Sequence, residues 1–133
     1  MNAVDTNILI YVYDRRDPAK SAKAAQLVES VEDGVLLWQV ACEFLAASQK
    51  LNRAGIFREQ AWERLNDLMG VLRLALPSPA VLNRARLIVE SHSFHFWNEM
   101  IFASCLEANV KCLYTEDLPG AEIAGLKIIN PFA

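Results

Sequence analysis

Glycine and proline are sparse in this 133-residue chain, five of each, and neither gathers into a linker or a low-complexity tract. With no such boundary and no internal repeat, residues 1–133 read as one domain, and 53% hydrophobic against 22% charged residues supply a single buried core. Cysteine is scarcer still. Cys42, Cys105 and Cys112 are odd in number and form no CxxC pair, which excludes a disulfide framework and a zinc knuckle and fits a reducing cytoplasm. No run approaches the roughly 18 apolar residues of a membrane span. The start carries Asn2 and Asp5 rather than a basic region followed by an apolar one, so the expectation is a soluble, unexported protein with no membrane partner. Excess basic charge is also missing: a net charge of −3 and a pI of about 5.4 exclude a surface that is one nucleic-acid footprint and leave room only for a local basic rim.

What is present is an alternation of short apolar runs with longer amphipathic ones. Asn2 to Asp5 is β-compatible, and Thr6 or Asn7 can cap a helix through Ile8 to Tyr13, which makes VDTN a strand-to-helix junction. A helix is expected from Pro18 to Glu32, ended by Asp33 and Gly34, then a buried strand from Val35 to Trp38. Helices follow over Val40 to Arg53 and Arg58 to Met69, a strand over Val71 to Leu76, and helices over Pro79 to Val89 and Trp97 to Ala108. Strands at Lys111 to Tyr114 and Leu126 to Ile129 close the chain. Strands alternating with helices imply an α/β fold with a central, mainly parallel sheet flanked by helices. In such sheets polar residues at the carboxyl ends of strands collect at one rim, where ligands bind, and both Asp5 and Asp117 hold such positions.

Two helices bring candidates to that rim. Val40, Phe44, Ala47 and Leu51 make one apolar stripe with Glu43 on its flank, turned partly inward. On the last helix Ile101, Phe102, Cys105 and Leu106 make another, with Asn98 near its centre and Glu99 at its edge, so Asn98 is expected to be the more buried of the two. Singly, Asp5 reads equally as a helix cap, Glu43 as a surface residue and Asp117 as a turn former. Together, converging carboxylates force one another's pKa upward unless a cation neutralises them, and oxygen-only donors suit Mg²⁺ or Mn²⁺. The chemistry that matches is phosphodiester hydrolysis.

The segments VDTNILIYVYD, VLLWQVACEF, FWNEMIFASCLEA and LYTEDL followed by GLKIINPF resemble, in order and spacing over nearly the whole length, the motifs of the PIN-domain ribonucleases, particularly the VapC-like toxins of toxin–antitoxin pairs. The resemblance implies a PIN-like three-layer fold and a Mg²⁺- or Mn²⁺-dependent endoribonuclease. In it Asp5, Glu43 and Asp117 are the catalytic, metal-holding acids, and Thr6, Asn7, Thr115 and Glu116 are supporting polar groups. It implies an RNA substrate, a cognate antitoxin and a homodimer as partners. One position departs: Asn98 follows Trp97 where the family usually has Asp. Asn98 can offer an amide oxygen but no charge, and Glu99 is the other donor nearby. A second reading follows from that departure, a catalytically weak PIN domain that binds RNA or protein. A haloacid-dehalogenase-type phosphatase, which wants a second Asp two residues after the first, is excluded by Asn7.

Three further features have two readings each. Arg15, Arg16, Lys20 and Lys23, and then Lys50, Arg53 and Arg58, are either a phosphate-guiding rim or solvated helix ends. His92 and His95 lack a third ligand and read as loop residues rather than a zinc site. Trp62, Leu65, Leu68 and Met69 form a stripe that is either core or, as in the family's dimer and antitoxin-binding surfaces, interface.

Overall fold

The computed structural model describes residues 1–48, 58–117, 120 and 122–133. Six strands form one sheet in the order β3-β2-β1-β4-β6-β5. They are β1 (Asn2–Val4), β2 (Gly34–Leu37), β3 (Arg73–Ala75), β4 (Cys112–Tyr114), β5 (Glu122–Ile123) and β6 (Leu126–Ile129). All pairings are parallel except β5 with β6. The helices among the described residues are α1 (Thr6–Tyr13), α2 (Pro18–Ser30), α3 (Trp38–Ser48), α4 (Arg58–Val71), α5 (Pro79–Ser91) and α6 (Phe96–Glu107).

The central strands are short and apolar because helices cover both their faces. Ala3, Val4, Leu36 and Leu113 have no exposed surface, as parallel strands sandwiched between helices require. β6, nearer the edge, alternates instead: Leu126 and Ile128 are buried while Lys127 and Ile129 face outward. α1 packs on α2 and α3, α3 on α4, and α5 on α6. The expected α/β architecture is thus the one observed.

Local boundaries differ from expectation in ways that have physical causes. α1 is capped not by Thr6 or Asn7 but by Asp5, whose carboxylate accepts from the Thr6 amide at 2.7 Å. β2 ends at Leu37 and α3 begins at once with Trp38, so no separate loop intervenes. Val71, expected in a strand, instead ends α4. The hairpin β5–β6 was not foreshadowed. Its two-residue loop, Ala124 and Gly125, holds φ at 51° and 89°, the positive values that tight hairpins need, yet Ala-Gly lacks the Asn-Gly or Asp-Gly signature of such turns.

The topology fixes where a site can form. From β1 the sheet grows to one side through β2 and β3 and to the other through β4 and β6, so the chain reverses direction of growth between β1 and β4. A crevice opens beyond the carboxyl ends of strands at such a switch point. Asp5 follows β1 directly, and its amide donates to the Tyr114 carbonyl at 2.9 Å, which locks it beside the end of β4.

Candidate active site

Asp5 is the buried centre of this crevice, only 5% exposed. One carboxylate oxygen caps α1, and the other accepts from the Thr115 hydroxyl at 2.9 Å. Thr115, fully buried, accepts in turn from the Asn7 side-chain amide and the Asp117 backbone amide, each at 3.3 Å. This small network ties the VDTN junction to the end of β4. Thr6 and Thr115 thus hydrogen-bond Asp5 directly, and Asn7 reaches it through Thr115.

Glu43 joins from α3. The Thr6 hydroxyl donates to one of its oxygens at 2.7 Å, and the Gln39 side chain, one helical turn earlier, donates to the other at 2.8 Å. Gln39 also donates to the Trp97 carbonyl at 3.1 Å and so links α3 to the start of α6. Sequence reasoning passed over Gln39. Its spacing of four residues from Glu43 on one helix was the available signal.

Burial raises the Asp5 carboxyl above its ordinary value, opposed by the hydrogen bonds from Thr6 and Thr115, while the charges of Glu43 and Asp117 push it further the same way. The three acids thus share one electrostatic neighbourhood. Asp117 is exposed and closes it on the solvent side.

The third-motif helix corrects one expectation. Glu99 is buried, 5% exposed, while Asn98 is only half-buried. The buried face of α6 includes Ala103, fully buried, and leaves Leu106 half-buried, which rotates its centre from Asn98 toward Glu99. Glu99 spends one oxygen on the Phe94 amide at 3.2 Å, bracing the loop that precedes the helix. His92 and His95 lie in that loop region, at the end of α5 and the start of α6.

Glu116 turns away from the acids to Tyr11 and Lys20: the Tyr11 hydroxyl donates to it at 2.7 Å and Lys20 forms an ion pair with it. Arg16 is likewise paired, with Asp14. Of the expected basic rim, Arg15 and Lys23 are exposed, Lys20 and Arg16 are partly neutralised by these carboxylates, and Lys50, Arg53 and the side chain of Arg58 lie outside the described residues. On α4, Leu65 and Leu68 are core while Trp62 and Met69 are exposed, so that stripe is divided between both readings.

Among the described residues no three His, Cys, Asp or Glu side chains close a cage around one point. The donor set still fits a hard divalent ion of the kind that keeps several waters and takes only one or two carboxylates from the protein. Asp5 and Glu43, linked through Thr6, are the carboxylates that could take that role, with the charge of Asp117 acting on the same neighbourhood. Cys105 is buried and its pKa is pushed far up by desolvation, while Cys42 is exposed on α3.

The fold has many solved relatives. A toxin–antitoxin complex from Klebsiella pneumoniae contains a chain 19% identical, with 98% of each chain covered and a TM-score of 0.71. FitAcB from Neisseria gonorrhoeae is 16% identical, with 99% of each chain covered and a TM-score of 0.72. VapC20 from Mycobacterium tuberculosis, described as a Sarcin-Ricin loop cleaving toxin, is 18% identical over 88% of this chain and 90% of its own, with a TM-score of 0.67. No curated protein sequence matches the chain. The PIN domain family model matches residues 3–125, nearly the whole length and every acid of the crevice, and the chain therefore belongs to the PIN-domain family.

Proposed function

We propose that this chain is a metal-dependent endoribonuclease and the toxin of a toxin–antitoxin pair. The observation that carries the reading is that the charges of Glu43 and Asp117 both act on the buried Asp5 at the switch point of the sheet and raise the electrostatic cost of ionising it. Asp5 and Glu43 would hold Mg²⁺ or Mn²⁺, with Asp117 and the amide oxygen of Asn98 as further donors. When bound, the ion supplies activation of the attacking water and stabilisation of charge developing on the phosphate. The chain's own groups do the rest. Thr115 and the Thr6 amide orient the Asp5 carboxylate, and Thr6 and Gln39 orient Glu43. A toxin–antitoxin complex containing a chain that matches this one over 98% of both lengths supports an antitoxin partner, and assembly as a homodimer is proposed with it.

A second reading has its own observation. Asn98 stands where an acid is usual, and Glu99, the neighbouring carboxylate, is committed to the Phe94 amide. That arrangement favours a PIN domain that binds RNA or a partner protein with little cleavage.

Incubation of the pure protein with single-stranded RNAs, with and without Mn²⁺, tests the two. Metal-dependent cleavage is expected, and Asp5→Asn or Asp117→Asn should lower it by more than the roughly 10–100-fold typical of losing an outer-shell partner. Cleavage that persists undiminished in a folded Asp5→Asn protein removes the acid from the mechanism. RNA binding without cleavage at any metal concentration selects the second reading.

A further inference from the structure

Beside Glu43 lies a shallow depression of about 410 Å³ lined by Gln39, Cys42, Glu43, Ala46 and Trp97. Its lining is mostly apolar and brings together the acid of the candidate active site and an indole. Trp97 is 56% exposed at the start of α6, beside the similarly exposed Phe96. Its position is not left to chance. The Phe96 ring meets it edge to face at a centroid distance of 5.0 Å. Its carbonyl accepts from Gln39, the same side chain that holds the Glu43 carboxylate. One amide thus ties the backbone that carries the indole to the acid.

Resting on the ribonuclease reading above, we infer that Trp97 is a stacking platform for an unpaired nucleobase next to the phosphate that reaches Glu43 and Asp5. Three observations single out a base. The depression is large enough for one ring system and opens to solvent, as a site for a passing strand requires. It shares Glu43 with the candidate active site, so a strand whose phosphate reaches that acid would lay its neighbouring base over the depression. The chain carries a net charge of −3, and Lys20 and Arg16 are already paired with carboxylates, so stacking is a natural source of affinity for a strand at this end of the site. Stacking tolerates every base yet needs the base unpaired, which makes Trp97 a determinant of strand state: single strands, loops and bulges are admitted, and continuous duplex is not.

The test is the Kd of a short fluorescein-labelled single-stranded RNA, measured with Ca²⁺ present in place of Mg²⁺, for the wild-type protein, Trp97→Ala, Trp97→Phe and Trp62→Ala. Trp62, on α4, is 65% exposed and lines a separate depression with Glu63, Arg64, Asn66 and Asp67, so it reports what losing any surface indole does. Trp97→Ala should weaken binding by about 5–150-fold, the range expected for loss of one base–aromatic stack. Trp97→Phe should retain most of the affinity, Trp62→Ala should retain all of it, and melting temperatures should be nearly unchanged. Equal RNA affinity in wild type and Trp97→Ala overturns the inference and leaves the nuclease reading standing. If the wild type binds no single-stranded RNA, both fall. If Trp97→Ala abolishes self-association but leaves RNA affinity intact, the indole serves a second copy of the chain and the inference is equally overturned.

Discussion

At the residue scale the candidate site is a balance of charge against burial, and Asp5 shows which effect wins. Two hydrogen bonds favour its ionised form, yet desolvation and the charges of Glu43 and Asp117 together raise its pKa above the ordinary 3.8. The sign for stability follows. A carboxyl that holds its proton more tightly in the folded state than in the unfolded one stabilises the fold below the unfolded value. That contribution is lost as pH rises through the raised folded value. In metal-free buffer Asp5→Asn should therefore melt higher than the wild type, with a difference that grows as pH rises above 3.8 and levels off once Asp5 is ionised. Asn caps a helix about as well as Asp, so the α1 cap itself survives the substitution. Paired calorimetric scans across the acid range in EDTA measure it. A mutant that melts lower than the wild type at neutral pH would mean that the hydrogen bonds from Thr6 and Thr115 outweigh the burial. Asp14 and Glu116 run the opposite way: Arg16 and Lys20 hold their carboxyls below the usual range, so their contributions fade as pH falls.

At the scale of elements, much was legible because helices and parallel strands write different periods into the chain. Pro18 and Pro79 open α2 and α5 as the first-turn rule requires, and the acids after β1 and β4 follow from strand ends alone. What escaped was set by partners distant in sequence. The tilt of α6 that buries Glu99 rather than Asn98 depends on which face the rest of the fold covers, and a helix of nearly uniform apolarity carries no periodic signal of that choice. The Gln39 bridge likewise spans 58 residues to Trp97. The β5–β6 hairpin was hidden by its chemistry, since Ala124 occupies a φ of 51° that a side chain with a Cβ adopts at a cost of roughly 1–2 kcal/mol. Ala124→Asn should accordingly stabilise the protein by about 1 kcal/mol, because Asn tolerates this conformation and Ala124 is exposed. Urea unfolding would register it as a higher midpoint at unchanged slope. An unchanged or lower midpoint would show that the turn carries no such strain.

For the whole molecule, metal binding at the acidic crevice would make stability and metal affinity one quantity. Every group proposed to hold the ion comes from a different stretch of chain: Asp5 after β1, Glu43 on α3, Asn98 on α6 and Asp117 after β4. Only the folded sheet brings them together, so an ion bound there stabilises the fold by mass action, by about 2.7 kcal/mol at a metal concentration 100-fold above Kd. Mn²⁺ or Mg²⁺ should thus raise the melting temperature of the wild type and leave that of Asp5→Asn nearly unmoved. Asn98→Asp sharpens the comparison. A fourth carboxylate at the crevice should lower the metal-free melting temperature by adding repulsion to the neighbourhood that already raises Asp5, and should increase the shift that metal produces. The two displacements have opposite signs and a common cause, so a calorimetric titration of the wild type, Asp5→Asn and Asn98→Asp separates them from any general effect of substitution. If Asn98→Asp melts with the wild type both with and without metal, the start of α6 stands apart from the ion. The half-buried Asn98 would then be a helix-surface residue, and the site would be completed by Asp5, Glu43 and Asp117 alone.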